Sequence, residues 1–405
     1  MRFNFLYINL FVFCLFAALL SGCGVPVPKG PTPPPGMPLT KLSVGQYPQF
    51  FDSRGFEGLA PSMDQSLVYF RRVPSSRKYT YGKDSFDAAH MIRSMETFKT
   101  LLAENLSPDE LDARIKKEFW VYASVGNAQG KVLFTGYYEP TYKGSLEPDD
   151  TYVYPVYSKP LDLLQIDLSL FSDKYKGHKR LTARVNPQSR QVVPYFSRQE
   201  INGISDFKSQ APPVAWLENR VDRFFLEIQG SGRVALKQGG ELRVHYAGSN
   251  GKAYRSVGRY LIDKKEIAKE NMSMQAIREW LEKNPERMDE VLHHNQSFVF
   301  FKAGEGGPFG SINVAVTPLR SIATDQKLFP NGGLCFAQAA LPDPYALEPL
   351  AQWKQASLFV LNQDTGGAIK GPARADLFFG NGAYAEFTAG HMNVYGQLYF
   401  LVLKP

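Results

Sequence analysis

The chain has 405 residues, of which 44% are hydrophobic and 13% aromatic, and its formal net charge is +7. This length and apolar content exclude an intrinsically disordered chain and are sufficient for two domains with a substantial core. The basic balance fits an acidic polymer as partner, or simply a mildly basic surface. Since lysine and arginine form no continuous run, we expect no nucleic acid partner.

The N-terminus has the pattern of an exported protein. Arg2 precedes an apolar run over residues 5–20, and a run of this size is more typical of a signal peptide than of a membrane span. The run ends in Leu20-Ser21-Gly22-Cys23, which resembles a bacterial lipobox. The resemblance implies that residues 1–22 are removed and that Cys23 is lipidated. Because Gly24 follows instead of Asp, it also implies an outer-membrane lipoprotein facing the periplasm. An uncleaved anchor helix is the alternative.

Residues 23–40 are predicted to be the lipidated cysteine and a linker. Half of residues 25–38 are proline, so this segment should be an extended polyproline II spacer of ~3.1 Å per residue. Such a spacer holds a folded body away from the membrane to which the lipid is attached. The geometry suits work on the cell wall.

The folded body begins near Lys41, and its pattern predicts a mainly β protein with accessory helices. Apolar spacing predicts a helix over residues 84–105, and the capping box Ser107-Pro108-Asp109-Glu110 predicts the start of a second. A further helical region is predicted over residues 263–294, broken at Asn284-Pro285. Apolar runs predict strands over residues 131–138, 152–157, 223–229, 242–246, 297–301, 357–361 and 397–403.

Two acids, Asp364 and Asp376, lie in the glycine-rich C-terminal stretch from Leu361 to Pro405. Glycines at this density are needed where the backbone takes positive φ or approaches a ligand closely. Two carboxylates on the loops of a rigid β scaffold fit an acid/base site. Asp is also a common turn former, so the residues alone leave both interpretations open.

Other motifs in this stretch do not lead to a function. Asp364-Thr365-Gly366 is the tripeptide of aspartic proteases, but that chemistry needs two such aspartates and the chain has no second copy. The segment from Gly380 to Ala385 fits a dinucleotide fingerprint, yet too few residues follow it for a βαβ unit. The six histidines show no ligand spacing such as HExxH, so we expect neither a metal nor another cofactor.

The segment from Asp364 to Met392, DTGGAIKGPARADLFFGNGAYAEFTAGHM, resembles the 3D domain, a double-psi β-barrel. From about residue 130 to the end, the chain resembles the membrane-bound lytic murein transglycosylase A family. The supporting segments are Phe134–Tyr138, Ile228–Gly232, Tyr246–Ser256, Ser273–Arg278 and Asn295–Phe301.

The resemblance implies a fold and a reaction. Residues 41–138 and 307–405 would form a double-psi β-barrel built from both chain ends, and residues 139–306 an inserted smaller β-barrel domain across a glycan groove. The family reaction cleaves the β-1,4 bond between N-acetylmuramic acid and N-acetylglucosamine in peptidoglycan and leaves a 1,6-anhydro ring. Peptidoglycan strands are the implied partner, and other murein synthases or hydrolases are candidate partners.

The resemblance also implies the site. Asp376 matches the family's catalytic aspartate, and Asp364 is expected to support it. When the substrate's own 6-hydroxyl attacks, one carboxyl can serve as acid and then as base. Its pKa should be raised, which the apolar neighbours of Asp376 favour more than those of Asp364. The expected substrate-binding residues are Thr135, Gly136, Tyr137, Tyr138, Gln229, Ser231, Tyr254, Arg255 and Lys370.

Two other classes of function remain open from the sequence. A hydrolytic β-barrel glycosidase would use Asp364 as the base that activates water. A non-catalytic lipoprotein would only bind or scaffold the cell wall.

Overall fold

The computed structural model describes residues 37–178, 180–343 and 352–405. The predicted signal peptide, Cys23 and nearly all of the linker lie outside these residues. Within them, no helix combines the length and apolar content needed to cross a bilayer.

The strands, in chain order, are β1 (Leu39–Lys41), β2 (Lys78–Tyr81), β3 (Asp84–Asp87), β4 (Phe119–Ser124), β5 (Val132–Tyr137), β6 (Thr141–Ser145), β7 (Tyr154–Tyr157), β8 (Leu164–Ile166), β9 (Leu181–Val185), β10 (Val192–Pro194), β11 (Pro213–Leu217), β12 (Ser231–Leu236), β13 (Glu241–Ser249), β14 (Val299–Ala303), β15 (Ser321–Ala323), β16 (Leu334–Pro342), β17 (Trp353–Asp364), β18 (Arg374–Phe378) and β19 (Asn393–Leu403). The α-helices are α1 (Leu59–Arg72), α2 (Ala88–Ala103), α3 (Pro108–Glu118), α4 (Arg198–Gly203), α5 (Phe207–Gln210), α6 (Arg220–Gln229), α7 (Val257–Asp263), α8 (Met274–Lys283), α9 (Met288–His294) and α10 (Ala383–His391).

The largest sheet closes into a barrel. Its strand order is β1-β4-β19-β16-β17-β15-β18-β5, and β19 also pairs with β5. The second pairing closes a ring of six strands in the order β19, β16, β17, β15, β18 and β5. Five of these strands come from the C-terminal part of the chain and β5 from the N-terminal part. The prediction of a mainly β fold with accessory helices is therefore confirmed.

Helices from the N-terminal part cover the outside of this barrel. Helix α1 packs against α2 and β17, and α2 packs against β19. Their buried side chains, which include Met63, Phe70 and Phe98, belong to the same apolar cluster as Phe336 and Phe359 of the barrel strands. The N-terminal residues are thus part of the barrel's core.

The residues between β5 and β15 form a second β structure with its own core. The strand order is β14-β13-β12-β6-β11-β7, and one isolated bridge, Ser158 to Phe301, joins the two edges. Val234 on β12, Phe224 on α6 and Leu281 on α8 lie in a cluster separate from the barrel's. The strands β10, β9 and β8 form a small additional sheet. We refer to this second β structure as the insert.

The predicted strand over residues 223–229 is wrong, because these residues form helix α6. The Asn219 side chain accepts a hydrogen bond from the Val221 N–H at the start of this helix, and Gly230 ends it in the left-handed conformation at φ 78°. Phenylalanine, valine and isoleucine favour strands intrinsically, but burial of one helix face and capping at both ends outweigh that weak preference.

The other helix predictions are correct in type and displaced in extent. Helix α2 starts at Ala88 because residues 84–87 pair with β2 as strand β3. In the predicted region 263–294, the break at Asn284-Pro285 is confirmed, but residues 264–273 are not α-helical. Helix α1 was not predicted at all.

Candidate active site

The two C-terminal acids lie on neighbouring parts of the barrel wall. Asp364 is the last residue of β17 and Asp376 is in the middle of β18. The strand between them is β15, and its Ala323 is the register partner of both acids. Because paired residues project to the same side of a sheet, both carboxyls face the same way, with their Cα atoms about 10 Å apart, two strand spacings.

This face is turned away from the barrel's apolar cluster. The neighbours of Asp376 along β18, Ala375 and Leu377, are buried in the barrel's apolar cluster together with Phe134 of β5. Side chains alternate along a strand, so Asp376 projects to the opposite side, away from this cluster. Thr135 of β5, the register partner of Asp376, projects the same way.

Asp376 is held by one hydroxyl and lies near one cation. Thr135 Oγ1 donates a hydrogen bond to Asp376 Oδ1 at 2.8 Å, and Arg374 Nη2 donates to Thr135 Oγ1 at 3.2 Å. Burial raises the pKa of Asp376 to about 6, although the Thr135 bond and the Arg374 charge act to lower it. The nearby Asp364 carboxyl acts in the same direction as burial. A carboxyl with this pKa carries a proton for a useful fraction of the time near neutral pH.

Asp364 is held differently. Its Oδ1 accepts hydrogen bonds from the backbone N–H groups of Ser311 and Thr365, each at 2.8 Å. Burial raises its pKa to about 6 as well, so desolvation does not separate the two acids as the sequence suggested. The hydrogen-bonding partners do separate the two acids. The backbone N–H groups at Asp364 can only donate, so they favour the carboxylate. The Thr135 hydroxyl can donate or accept, so it suits both the protonated and the charged form of Asp376.

Tyr137 lies on the same face, two residues beyond Thr135 on β5. Its ring centroid is 5.0 Å from that of Phe378. Its hydroxyl is buried close to Asp364, and this proximity acts to lower the pKa of Asp364. Burial and the Asp364 charge raise the pKa of Tyr137, so its hydroxyl keeps its proton and can donate it in a hydrogen bond.

The insert contributes Tyr254 to this group of residues. Tyr254 lies in the loop between β13 and α7, and a Cβ built on Gly367 would be 3.3 Å from Tyr254 Cβ. Burial raises the pKa of Tyr254, and the charges of Arg374 and Asp376 reach it. The glycine-rich turn after Asp364 therefore lies against the insert, and the face that carries the two acids is bordered by both parts of the protein. We call the region between these parts the cleft.

The remaining predicted residues lie at different distances from the acids. Lys370 is exposed and its Nζ donates to the Gly366 carbonyl at 3.0 Å, within the same turn. Gln229 Oε1 accepts from the Tyr138 N–H at 3.2 Å, and the Tyr138 hydroxyl donates to Glu386 at 3.2 Å. The contact of Tyr138 with Gln229 joins the barrel to the insert beside the cleft.

The last three predicted residues have their described contacts away from the acids. Gly136 faces the other side of β5, where a Cβ would lie 2.7 Å from the Phe379 ring and 2.8 Å from Ala389 Cα. Ser231 begins β12, opposite His245. Arg255 follows Tyr254 with an exposed side chain, and its N–H donates to Asn295 Oδ1 at 3.2 Å.

Two residues that act on the acids were not predicted. Arg374, whose charge lowers the pKa of Asp376, precedes it by two positions, so the alternation of a strand would have placed both on one face. Ser311 is 53 residues from Asp364 in sequence, and no local pattern predicts that contact.

Comparison with known proteins identifies the family. Residues 133–302 match the MltA specific insert domain, and residues 320–402 match the 3D domain. Membrane-bound lytic murein transglycosylase A of Vibrio cholerae serotype O1 is 34% identical over 286 residues, which are 69% of this chain and 67% of that protein. The Escherichia coli K12 protein of the same name is 33% identical over 301 residues, 73% of each chain. The crystal structure of a membrane-bound lytic murein transglycosylase from Agrobacterium tumefaciens is 28% identical, with a TM-score of 0.72 over 90% of this chain and 97% of that chain. This chain belongs to the membrane-bound lytic murein transglycosylase A family.

Proposed function

We propose that this protein is a lytic transglycosylase that cleaves the β-1,4 bond between N-acetylmuramic acid and N-acetylglucosamine in peptidoglycan and forms a 1,6-anhydromuramyl product. The names of its relatives supply the substrate class, murein. The observation that carries the proposal is the recessed Asp376 carboxyl, whose pKa is raised to about 6 and which faces a cleft shared with the insert.

In the proposed reaction one carboxyl acts twice. Protonated Asp376 gives its proton to the glycosidic oxygen as the bond from C1 of the muramyl sugar breaks. The 6-hydroxyl of the same sugar then attacks C1, and its proton passes to the Asp376 carboxylate. The proton that Asp376 gives to the leaving oxygen is replaced by the proton of the 6-hydroxyl, so no water is needed and Asp376 returns to its starting form. Intramolecular attack gains a large effective concentration, which removes the need for a second catalytic carboxyl.

The neighbours of Asp376 suit this cycle. The Thr135 hydroxyl can donate to the carboxylate and accept from the acid, so it stabilises the carboxyl before and after each transfer. Asp364, fixed by two backbone N–H groups, orients the glycine-rich turn. Its charge also acts to raise the pKa of Asp376, which increases the protonated fraction of the acid.

The cleft is the proposed glycan groove. Residues 41–138 and 307–405, as a double-psi β-barrel, would form one wall, and residues 139–306 the other. Tyr254 and Tyr137 offer ring faces to sugars, Gln229 and Ser231 can bond acetamides and hydroxyls, and Lys370 and Arg255 can pair with peptide carboxylates. Lipidation of Cys23 would hold this groove at the periplasmic side of the outer membrane.

A hydrolase is the second candidate, because two carboxyls with raised pKa face the same cleft. Inverting glycosidases place two carboxyls about 6.5–9.5 Å apart, with a water between them. In that mechanism Asp364, whose bonds favour the charged form, would be the base.

The products decide between these functions. Mass spectrometry of sacculi digested in water enriched in ¹⁸O should show muropeptides with anhydro ends, one water lighter than reducing ends, and no incorporated label. Labelled reducing ends would identify a hydrolase and refute the transglycosylase. Sacculus binding without release of soluble muropeptides would refute both.

A further inference from the structure

The small sheet of β8, β9 and β10 has one face made entirely of apolar residues. Its register pairs Ile166 with Leu181 and Val185 with Val192, and it places Ala183 between Leu164 and Pro194. Residues that are paired, or two apart on a strand, share a face. All seven residues therefore project to one side, and we call this side the β8–β10 face.

The polar face of this sheet is the one that contacts the rest of the protein. Gln165 donates a hydrogen bond to Thr182 at 3.0 Å, and a Cβ built on Gly251 would lie 2.6 Å from Thr182 Cβ. The Arg184 guanidinium lies 4.0 Å from the centroid of the Phe196 ring. A sheet with one covered face normally turns its apolar side inward, and here the arrangement is reversed.

The residues that flank β8 in the chain are also unusually exposed. Leu161 and Leu170 are each 85% exposed and Phe171 is 76% exposed, the highest values among the large apolar side chains that the structure describes. Leu164, Leu181, Val185 and Val192 of the β8–β10 face are exposed as well. Exposed apolar side chains that share one face of a sheet mark an interaction site more often than single scattered ones do.

The charge of this segment indicates which partner it fits. Residues 159–194 contain seven Lys or Arg and three Asp, so they hold four of the seven net positive charges of the chain. Each of the three acids has a bonding partner within the segment or directly after it. Asp162 accepts from the Tyr195 hydroxyl, and Asp167 and Asp173 pair with Arg180 and Lys176. Apolar side chains among cations are the combination that binds an anionic lipid surface.

The length of chain before the folded body permits this contact. Between Cys23 and Met37 there are 13 residues, which span at most ~40 Å as polyproline II. A compact body of this size has a radius of gyration of about 21 Å. If Cys23 is lipidated, as proposed above, this length exceeds the radius of the body, so surfaces well away from Met37 can also approach the bilayer that holds the lipid.

We propose that the β8–β10 face, with Leu170 and Phe171, docks on the surface of a phospholipid bilayer that contains anionic lipid. Docking would use a surface attached to the loop that carries Tyr254, since Thr182 contacts Gly251 of that loop. The lipid anchor would retain the protein, and this second contact would set the direction in which the glycan groove opens.

The test separates this contact from the lipid anchor and from catalysis. The mature chain carrying Cys23→Ser is mixed with vesicles of phosphatidylethanolamine and phosphatidylglycerol, and its partitioning is measured by sedimentation. We expect binding that weakens with added salt and falls at least tenfold in Leu170→Asp/Phe171→Asp. The matched control, Val44→Asp/Val68→Asp, changes two exposed apolar residues near the barrel and should bind like the parent.

Release of muropeptides from sacculi should be the same in all these variants. The vesicle-binding measurement does not depend on catalysis, so it tests the docking proposal even if the proposed catalytic function is wrong. Equal vesicle binding by parent and Leu170→Asp/Phe171→Asp, or no binding by either, would overturn the proposal. Concentration-dependent dimers that are lost in this variant would assign the face to a second copy of the chain instead. Loss of sacculus binding in the variant would assign it to the cell wall.

Discussion

At the scale of single residues, Asp376 and Asp364 have a similar pKa but different hydrogen-bond donors. Asp376→Asn should lower the rate of muropeptide release by about 10²–10⁴-fold, because an amide cannot supply the proton that the leaving oxygen needs. Asp364→Asn is the matched comparison. Its side-chain oxygen can still accept the Ser311 and Thr365 N–H bonds, so a smaller loss is expected. An active Asp376→Asn variant, or an equal loss in both, would contradict the single-carboxyl mechanism.

The raised pKa values also predict how stability depends on pH. The folded pKa of about 6 exceeds the ordinary value of 3.8 for both acids, so the folded state binds protons more tightly than the unfolded state. The stabilisation that these two groups contribute is therefore fully present below about pH 4 and is lost as the pH rises through 6. The loss should be about 1–3 kcal/mol for each carboxyl, because one pKa unit corresponds to about 1.4 kcal/mol.

Chemical denaturation of the parent and of Asp376→Asn across pH 4–8 measures this loss. The variant should be more stable than the parent at pH 7 and should depend less on pH between 4 and 6. A variant that is less stable at pH 7 would mean that the Asp376 carboxylate is well solvated. It would then also weaken the case for Asp376 as an acid.

At the scale of elements, the loop between β13 and α7 depends on one buried amide. Asn250 Nδ2 donates to the carbonyls of Phe196 and Gln296, each at 2.8 Å, and its Oδ1 accepts from the Phe298 N–H at 2.9 Å. Asn250→Ala leaves these buried groups without partners and should cost about 3 kcal/mol of unfolding free energy.

The same substitution should raise KM for glycan more than it lowers kcat, because the loop carries Tyr254 and not the acid. The control is Asn271→Ala, at an exposed position, which should leave both quantities unchanged. A fall in kcat with constant KM would mean that the loop acts on the reacting bond and not on binding.

Local signals in the sequence predict the position of many helices and strands. The candidate site, in contrast, depends on contacts between residues that are distant in sequence. The Ser107 capping box forms as predicted, with Ser107 N–H and Glu110 bonded at 2.9 Å. The strand predicted over residues 223–229 failed because apolar runs of this length are ambiguous, and the caps at Asn219 and Gly230 were the deciding signal. Thr135 and Asp376 are 241 residues apart, and only a resemblance to a known family brought them together in advance.

At the scale of the whole molecule, the barrel joins segments from both ends of the chain, and one buried ion pair lies at that junction. The Arg320 guanidinium donates to both carboxylate oxygens of Asp52, at 2.6 and 2.9 Å, and to the carbonyls of Glu57 and Phe359. Both side chains are fully buried. Although burial acts to raise the pKa of Asp52, the Arg320 charge and hydrogen bonds keep it below its usual value.

Removing one member of this pair should destabilise the whole protein, because the other charge is left buried without a partner. We expect Asp52→Ala to lower the free energy of unfolding by about 3–5 kcal/mol, and the double change Asp52→Leu/Arg320→Met to recover most of it. Asp64→Ala, which removes an exposed pair with Lys99, is the control and should cost less than about 1 kcal/mol.

The measurement is urea denaturation followed by circular dichroism and by Trp fluorescence. If the N-terminal residues are part of the barrel's core, both probes should report one shared transition in every variant. An early separate transition in Asp52→Ala would show that the N-terminal segment folds independently of the barrel.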